Sequence, residues 1–158
     1  MSGALAQPPQ VAPPGAVLFA CNLNRVRSPM AAGLMRLVHG DRFFVDSCGL
    51  KPEGDEIDPF VVTVMDEVGV NLRSHRLKSF DDLQDGSFDL VVSLTPQAQH
   101  RAVEMSRCRA TVIEYWPIID PTFTEGGRDM RVAAYRAARD ELKARIIARF
   151  GRPSTFGG

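Results

Sequence analysis

Residues 16–29 read Ala-Val-Leu-Phe-Ala-Cys-Asn-Leu-Asn-Arg-Val-Arg-Ser-Pro. The first six, Ala16 to Cys21, form a short apolar run that ends on a small side chain. Such a run suits a strand buried on both faces. Ser28 and Pro29 then open a helical pattern, with serine as a favoured N-cap and proline at the first helical position. Met30, Leu34, Leu37 and Val38 keep helical spacing, and Gly40 ends it. A buried strand thus runs through a short loop straight into a helix.

The same alternation continues along the chain. Arg42 to Ser47 reads as a second strand, followed by a loop marked by Gly49, Pro52 and Gly54. Asp58-Pro59 starts a second helix with Val61, Val64, Met65 and Val68 on one face and Gly69 at its end. A polar stretch holds a short helix near Asp81. Phe88 to Leu94 is a third strand, a helix spans about Pro96 to Met105, Ala110 to Tyr115 is a fourth strand, and a long helix runs from about Asp129 to Phe150. Strands alternating with helices call for a parallel sheet covered on both faces. The expected fold is therefore α/β, a three-layer sandwich around a four-stranded parallel sheet. In such sheets ligands bind beyond the carboxyl ends of the strands, where strand order reverses. The loops after Cys21, Ser47, Leu94 and Tyr115 are the candidate site elements.

Composition bounds the rest. The 158 residues fit one domain, and 44% are hydrophobic, enough for a packed core. Nineteen basic and nineteen acidic side chains cancel, so no global charge draws the chain to nucleic acid or to an anionic membrane. No apolar run approaches the ~20 residues of a membrane helix, and the start of the chain lacks the basic and apolar regions of a secretory signal. Pro8, Pro9, Pro13 and Pro14 make residues 1–15 a disordered tail. Residues 16–150 form the domain, and 151–158 a flexible tail. The three cysteines are Cys21, Cys48 and Cys108. Their odd number argues against a disulfide framework and for a reducing, cytoplasmic setting. There is no CxxC pair, and His39, His75 and His100 are scattered, so neither a metal nor another cofactor is expected. A monomer is the favoured state.

The loop Cys21 to Ser28 carries the chemistry. A loop entering a helix N-terminus presents free backbone N–H groups, and the helix dipole adds partial positive charge. Asn22, Leu23, Asn24, Arg25, Val26 and Ser28 are therefore the expected substrate-binding residues, around a bound oxyanion. Arg27 adds a planar cationic fork suited to two phosphate oxygens. Cys21, at the rim, stands in the same positive field, which favours the nucleophilic thiolate. Asn24 tolerates the left-handed backbone a tight loop needs. Taken singly, a cysteine ending a strand is ordinarily a small core residue. Strand, Cys-x5-Arg-Ser-Pro and helix together favour the chemical reading.

The segment Cys21 to Pro29 resembles the nucleophile loop of the low-molecular-weight protein tyrosine phosphatases, a family that shares its fold with thioredoxin-linked arsenate reductases. The resemblance extends over about Ala16 to Phe150. Asp46-Ser47-Cys48-Gly49-Leu50 is similar to the family's element after the second strand, Ser74-His75-Arg76 to the segment that braces the loop, and Asp120-Pro121 to the general-acid loop. The resemblance implies that Asn24, Ser28, Ser47 and His75 hold the loop by hydrogen bonds and that Asp120 protonates the leaving oxygen, then activates water. It departs from the family at Leu23, where many members have glycine, and at Val26, where many have a second loop cysteine. Thr122 and Phe123 stand where many have tyrosines. Phe123 and Trp116 are each candidates for an aromatic wall or for core.

The implied function is hydrolysis of phosphate monoesters, of a phosphotyrosyl protein or a small phosphorylated molecule, through a phosphocysteine on Cys21. The alternative is arsenate reduction, which the segment Trp116 to Phe150 fits equally well. Reduction needs further thiols, and the stretch Leu94 to Ala102, where that branch carries them, has none. An external thiol such as glutathione or mycothiol would have to supply them. Cys48, next to Ser47, is the nearest sequence candidate to resolve an oxidised Cys21. Strand alternation points it to the face opposite Ser47, and Cys108 lies at the far end of a strand.

Overall fold

A computed structural model of the chain describes residues 15–83, 87–107 and 109–153. The expected tail 1–15 (apart from Gly15), residues 154–158 and Cys108 lie outside the described residues. The elements run β1 (Ala16–Cys21), α1 (Arg27–His39), β2 (Phe44–Gly49), α2 (Pro59–Asp66), β3 (Leu90–Ser93), α3 (Pro96–Met105), β4 (Val112–Tyr115) and α4 (Arg128–Phe150). Short 3-10 helices occur at Phe80–Asp82 and Pro121–Phe123. The sheet is four-stranded and parallel, in the order β2-β1-β3-β4. The chain moves one way from β1 to β2 and the other way to β3. The carboxyl end of β1, which bears Cys21, is thus the point where strand order reverses.

Alternation along β1 divides the core. Val17, Phe19 and Cys21 join a cluster with Met30, Leu34, Met65, Tyr135, Leu142 and Ile146 from α1, α2 and α4. Leu18 and Ala20 face the other way, toward Cys48, Phe80, Val91, Ala98 and Ala102. Both faces of the sheet are therefore covered, which is why β1 reads as an unbroken apolar run. Each large side chain fully buried here contributes roughly 1.5–3 kcal/mol.

Several boundaries differ from the sequence reading, each for a local reason. α1 begins at Arg27, with Val26 at the N-cap and no capping side chain, so Ser28 is not the cap. Its hydroxyl is instead engaged with Cys21 and Asn24. β2 is displaced two residues downstream because its pairing with β1 continues to Cys21 opposite Gly49. α2 stops at Asp66 and turns out through Gly69, whose φ is +80°. β3 and β4 are shorter than the apolar patterns suggest. The caps of α2 and α3 are side-chain caps: Asp58 accepts from the Phe60 amide at 2.8 Å and Thr95 from the Ala98 amide at 3.1 Å.

Candidate active site

The loop from Cys21 to Ser28 is held from outside by its carbonyls. Those of Cys21 and Asn22 accept from the amides of Leu50 and Lys51 at 3.1 and 2.9 Å. The Asn24 carbonyl accepts from His75 Nε2 at 3.0 Å, that of Arg25 from the Asp58 amide at 3.3 Å, and that of Val26 from the Met30 amide at 3.2 Å. With the carbonyls turned outward, the amides of Leu23, Arg25 and Val26 have no hydrogen bond among the described residues. A row of such amides at a helix start forms a concave anion site.

Asn24 is the hub of this arrangement. It is wholly buried and is the one non-glycine among the described residues with a positive φ, +59°. Its Nδ2 donates to Ser28 Oγ at 2.8 Å and to Ser47 Oγ at 3.0 Å, and its Oδ1 accepts from the Lys78 amide at 3.0 Å. Its own amide donates to Cys21 Sγ at 3.3 Å. The expected bracing set of Asn24, Ser28, Ser47 and His75 is thus brought together. Burial pushes the His75 imidazole below its ordinary pKa. It is therefore neutral at pH 7, with Nε2–H given to Asn24.

Cys21 Sγ lies 2.9 Å from Ser28 Oγ. The Ser28 hydroxyl has one proton and two acceptors in reach, Sγ and the Cys48 carbonyl at 3.3 Å. Donation to sulfur stabilises a thiolate. Arg27, at the start of α1, gives Nη1 to the Ile118 carbonyl at 2.9 Å and Nη2 to Asp120 Oδ2 at 3.3 Å. Asp120 Oδ1 accepts from the amide and hydroxyl of Thr122 at 2.9 and 2.7 Å. Asp120 is therefore both the cap of a 3-10 turn and a wall of the cavity that Cys21 lines. That cavity, about 230 Å³, is lined by Cys21, Arg27 and Asp120 together with Asn22, Leu23, Arg25, Val26 and Phe123. Phe123 is 82% exposed at the rim, whereas Trp116 packs into the core against Phe19.

Two features escape the sequence reading. Asp58 also lines the cavity, with Oδ2 accepting from the Tyr135 hydroxyl of α4 at 2.7 Å. Only its capping role was legible, through Asp58-Pro59. Gly49 is a second: a Cβ there would meet Asn22 O, Leu23 C and Asn24 N, each at 2.8 Å. β2 approaches the Cys21–Ser28 loop so closely that no side chain fits. Thr95, in the loop after Leu94 that the sequence marks as a candidate site element, gives its hydroxyl to Asn22 Oδ1 at 2.7 Å. Cys48 packs on the sheet face opposite Cys21, and its thiol is pushed up, first by burial and then by the neighbouring Cys21 and Asp46 charges. Among the described residues, no group of three or more His, Cys, Asp or Glu side chains is placed to hold a metal ion.

Known proteins resemble this chain in sequence and in fold. An arsenate reductase of Halalkalibacterium halodurans is 30% identical over 130 residues, covering 82% of this chain and 91% of that protein. A glutaredoxin arsenate reductase of Synechocystis sp. is 27% identical, covering 82% and 92%. Among solved structures, the low molecular weight protein tyrosine phosphatase from T. tengcongensis has a TM-score of 0.67 at 27% identity, over 83% of this chain and 94% of that one. The family described as low molecular weight phosphotyrosine protein phosphatase matches residues 16–149. A match that spans nearly all of the described domain, and takes in every residue of the Cys21–Ser28 loop and Asp120, makes this chain a member of the low molecular weight phosphotyrosine protein phosphatase family.

Proposed function

We propose that the chain hydrolyses phosphate monoesters, with Cys21 as nucleophile, Arg27 as phosphate clamp and Asp120 as general acid and base. The observation that carries this reading is the placement of Cys21 Sγ, bonded to Ser28 Oγ, on one cavity with Arg27 and Asp120. The ester phosphorus seats over the loop amides with its oxygens toward them and Arg27. The S–P bond forms as the ester P–O bond breaks, and the Asp120 carboxyl gives its proton to the leaving oxygen. Water then attacks phosphorus, its proton passes to the Asp120 carboxylate, and the Cys21 thiolate leaves. No second thiol and no metal enters the cycle. Phosphotyrosyl proteins and small aryl or alkyl phosphates fit the open cavity. A reducing, cytoplasmic setting belongs to the same proposal, since a free thiolate must persist. No described helix is long and apolar enough to cross a membrane.

A second reading, arsenate reduction with an external thiol, is favoured by the curated relatives, which are named arsenate reductases. In that cycle Cys21 forms an S–As bond as one protonated arsenate oxygen leaves as water, an external thiol then attacks the Cys21 sulfur, and arsenite leaves with the electron pair. The two sulfurs are left as a mixed disulfide that a second thiol reduces. The placement of Cys48 on the opposite sheet face favours the ester, and kinship favours arsenate. Two assays on the same preparation separate them: release of phenol from an aryl phosphate, and thiol consumption with arsenate. Aryl phosphate turnover without added thiol supports the main reading. Arsenate-dependent thiol oxidation with no phosphate release replaces it with the second.

A further inference from the structure

Arg25 is a second cation in the cavity, and its situation differs from that of Arg27. Its side chain is a wall between the Cys21 cavity and an adjoining one formed by Glu53, Gly54, Asp55 and Glu56. Nε donates to the Glu56 carbonyl at 3.0 Å, and the Arg25 carbonyl accepts from the Asp58 amide at 3.3 Å. The guanidinium is thereby tethered from one side. Its two Nη groups have no hydrogen bond, and no carboxylate pairs with it, among the described residues. Arg27, by contrast, has both Nη groups engaged. A pre-positioned guanidinium with a free planar edge is a receptor for a carboxylate or phosphate.

We propose that Arg25 determines specificity by selecting substrates in which a second anionic group, a carboxylate or phosphate, stands close to the phosphate ester. This rests on the reading of Cys21 as a nucleophile toward phosphate esters. The surrounding charge narrows the class further. Glu53, Asp55 and Glu56 lie on the far side of Arg25, where they repel an extended run of negative charge. One compact extra anion, approaching from the Cys21 side, meets Arg25 without meeting them. The substrate class is therefore a small phosphorylated acid rather than an acidic phosphopeptide. Leu23 and Phe123, both exposed at the rim, add apolar contact for the body that joins the two anions.

Calorimetric titration with two non-hydrolysable probes tests this: phenylphosphonate, and phenylphosphonate bearing a ring carboxylate. Each is titrated into wild type, Arg25→Met and Arg25→Lys. The ratio of the two Kd values in one protein reads the second charge and cancels any common disturbance of the loop. Wild type binds the carboxylated probe at least about fivefold more tightly, Arg25→Met shows no preference, and Arg25→Lys keeps part of it. Equal Kd values in wild type, an unchanged preference in Arg25→Met, or no binding of either probe overturns the proposal. Phenyl phosphate turnover by wild type is measured alongside. Hydrolysis without a carboxylate preference removes the role of Arg25 alone. A preference without hydrolysis keeps Arg25 as the anion selector and removes the ester chemistry.

Discussion

Arg27 Nη2 stands 3.3 Å from Asp120 Oδ2, and Nη1 of the same guanidinium donates to the Ile118 carbonyl two residues earlier. The proposed clamp at the start of α1 is thus anchored on the segment that carries the proposed acid, although 93 residues separate the two side chains in sequence. The pair is largely buried, 12% and 22% exposed, so solvent screens it less than a surface pair. In the proposed reaction an incoming dianion competes with Asp120 for the guanidinium. The planar fork can turn one edge to the phosphate and keep the other on Ile118.

That geometry predicts a large loss in Arg27→Lys. Lysine keeps the charge but cannot hold Ile118 and a phosphate oxygen together. An aryl phosphatase kcat/KM lower by roughly a hundredfold or more is expected, the scale of losing one positioned oxyanion donor. Near-normal kinetics would show that Arg27 is not the clamp.

Asp120→Asn separates the acid from the cap. Asparagine can still accept from Thr122, so the turn at Pro121–Phe123 survives. The rate on esters of weakly acidic phenols falls by about a hundredfold or more, while esters of strongly acidic phenols lose little, because their oxygen leaves without a proton. An equal loss across the leaving-group series would assign Asp120 a purely structural role.

Asn24 combines a left-handed backbone with a buried hydrogen-bond hub, and two variants divide these. Asn24→Ala loses both and lowers stability by about 2–4 kcal/mol, through unsatisfied buried partners and strain. Asn24→Gly recovers the backbone but not the hub, so it unfolds later than the alanine variant while staying as inactive. Urea midpoints and initial rates of the two proteins check this. Full activity in Asn24→Gly would remove the hub from the catalytic arrangement.

Acid should destabilise the fold in two steps. Burial lowers the pKa of His75 and of His39, where the Arg42 charge adds to the effect. The unfolded chain therefore binds protons first as pH falls through the ordinary imidazole range near ~6.5. Stability falls from there until the folded histidines titrate in turn. Glu67 is held at about 2 by hydrogen bonds from Arg136 and then Arg139, so its contribution disappears only as pH falls from the carboxylate range toward that value. Urea midpoints between pH 7 and 5 should decline in wild type and decline less in His75→Gln, with His39 supplying the remainder. The same slope in both proteins would contradict a buried neutral His75.

Much of this was legible in the sequence because it depends on local order. Cys21, Arg27 and the start of α1 fall within one short run, and Asp58-Pro59 marks the start of α2 by capping chemistry. What was hidden depends on elements meeting in space. The role of Ser28 was half legible: it braces the loop as expected, but its hydroxyl is engaged with Cys21 and Asn24 and does not cap α1. Gly49 reads as a loop glycine, yet its missing side chain is what admits the backbone of the Cys21–Ser28 loop. Asp58 reads as a cap, and only the fold brings Tyr135 and the cavity to its other oxygen. The strand shift in β2 could not be read from residues 42–49 alone, since its register is set by pairing with β1.

The most direct test of Cys21 as nucleophile is mass spectrometry of the protein quenched during aryl phosphate turnover. A phosphoryl group on the peptide containing Cys21 is predicted, transient in wild type and longer-lived in Asp120→Asn, whose carboxylate no longer activates water. Cys21→Ser should fold normally and lose turnover. Phosphoryl transfer to another residue, or more than about a tenth of the wild-type rate in Cys21→Ser, would contradict the assignment.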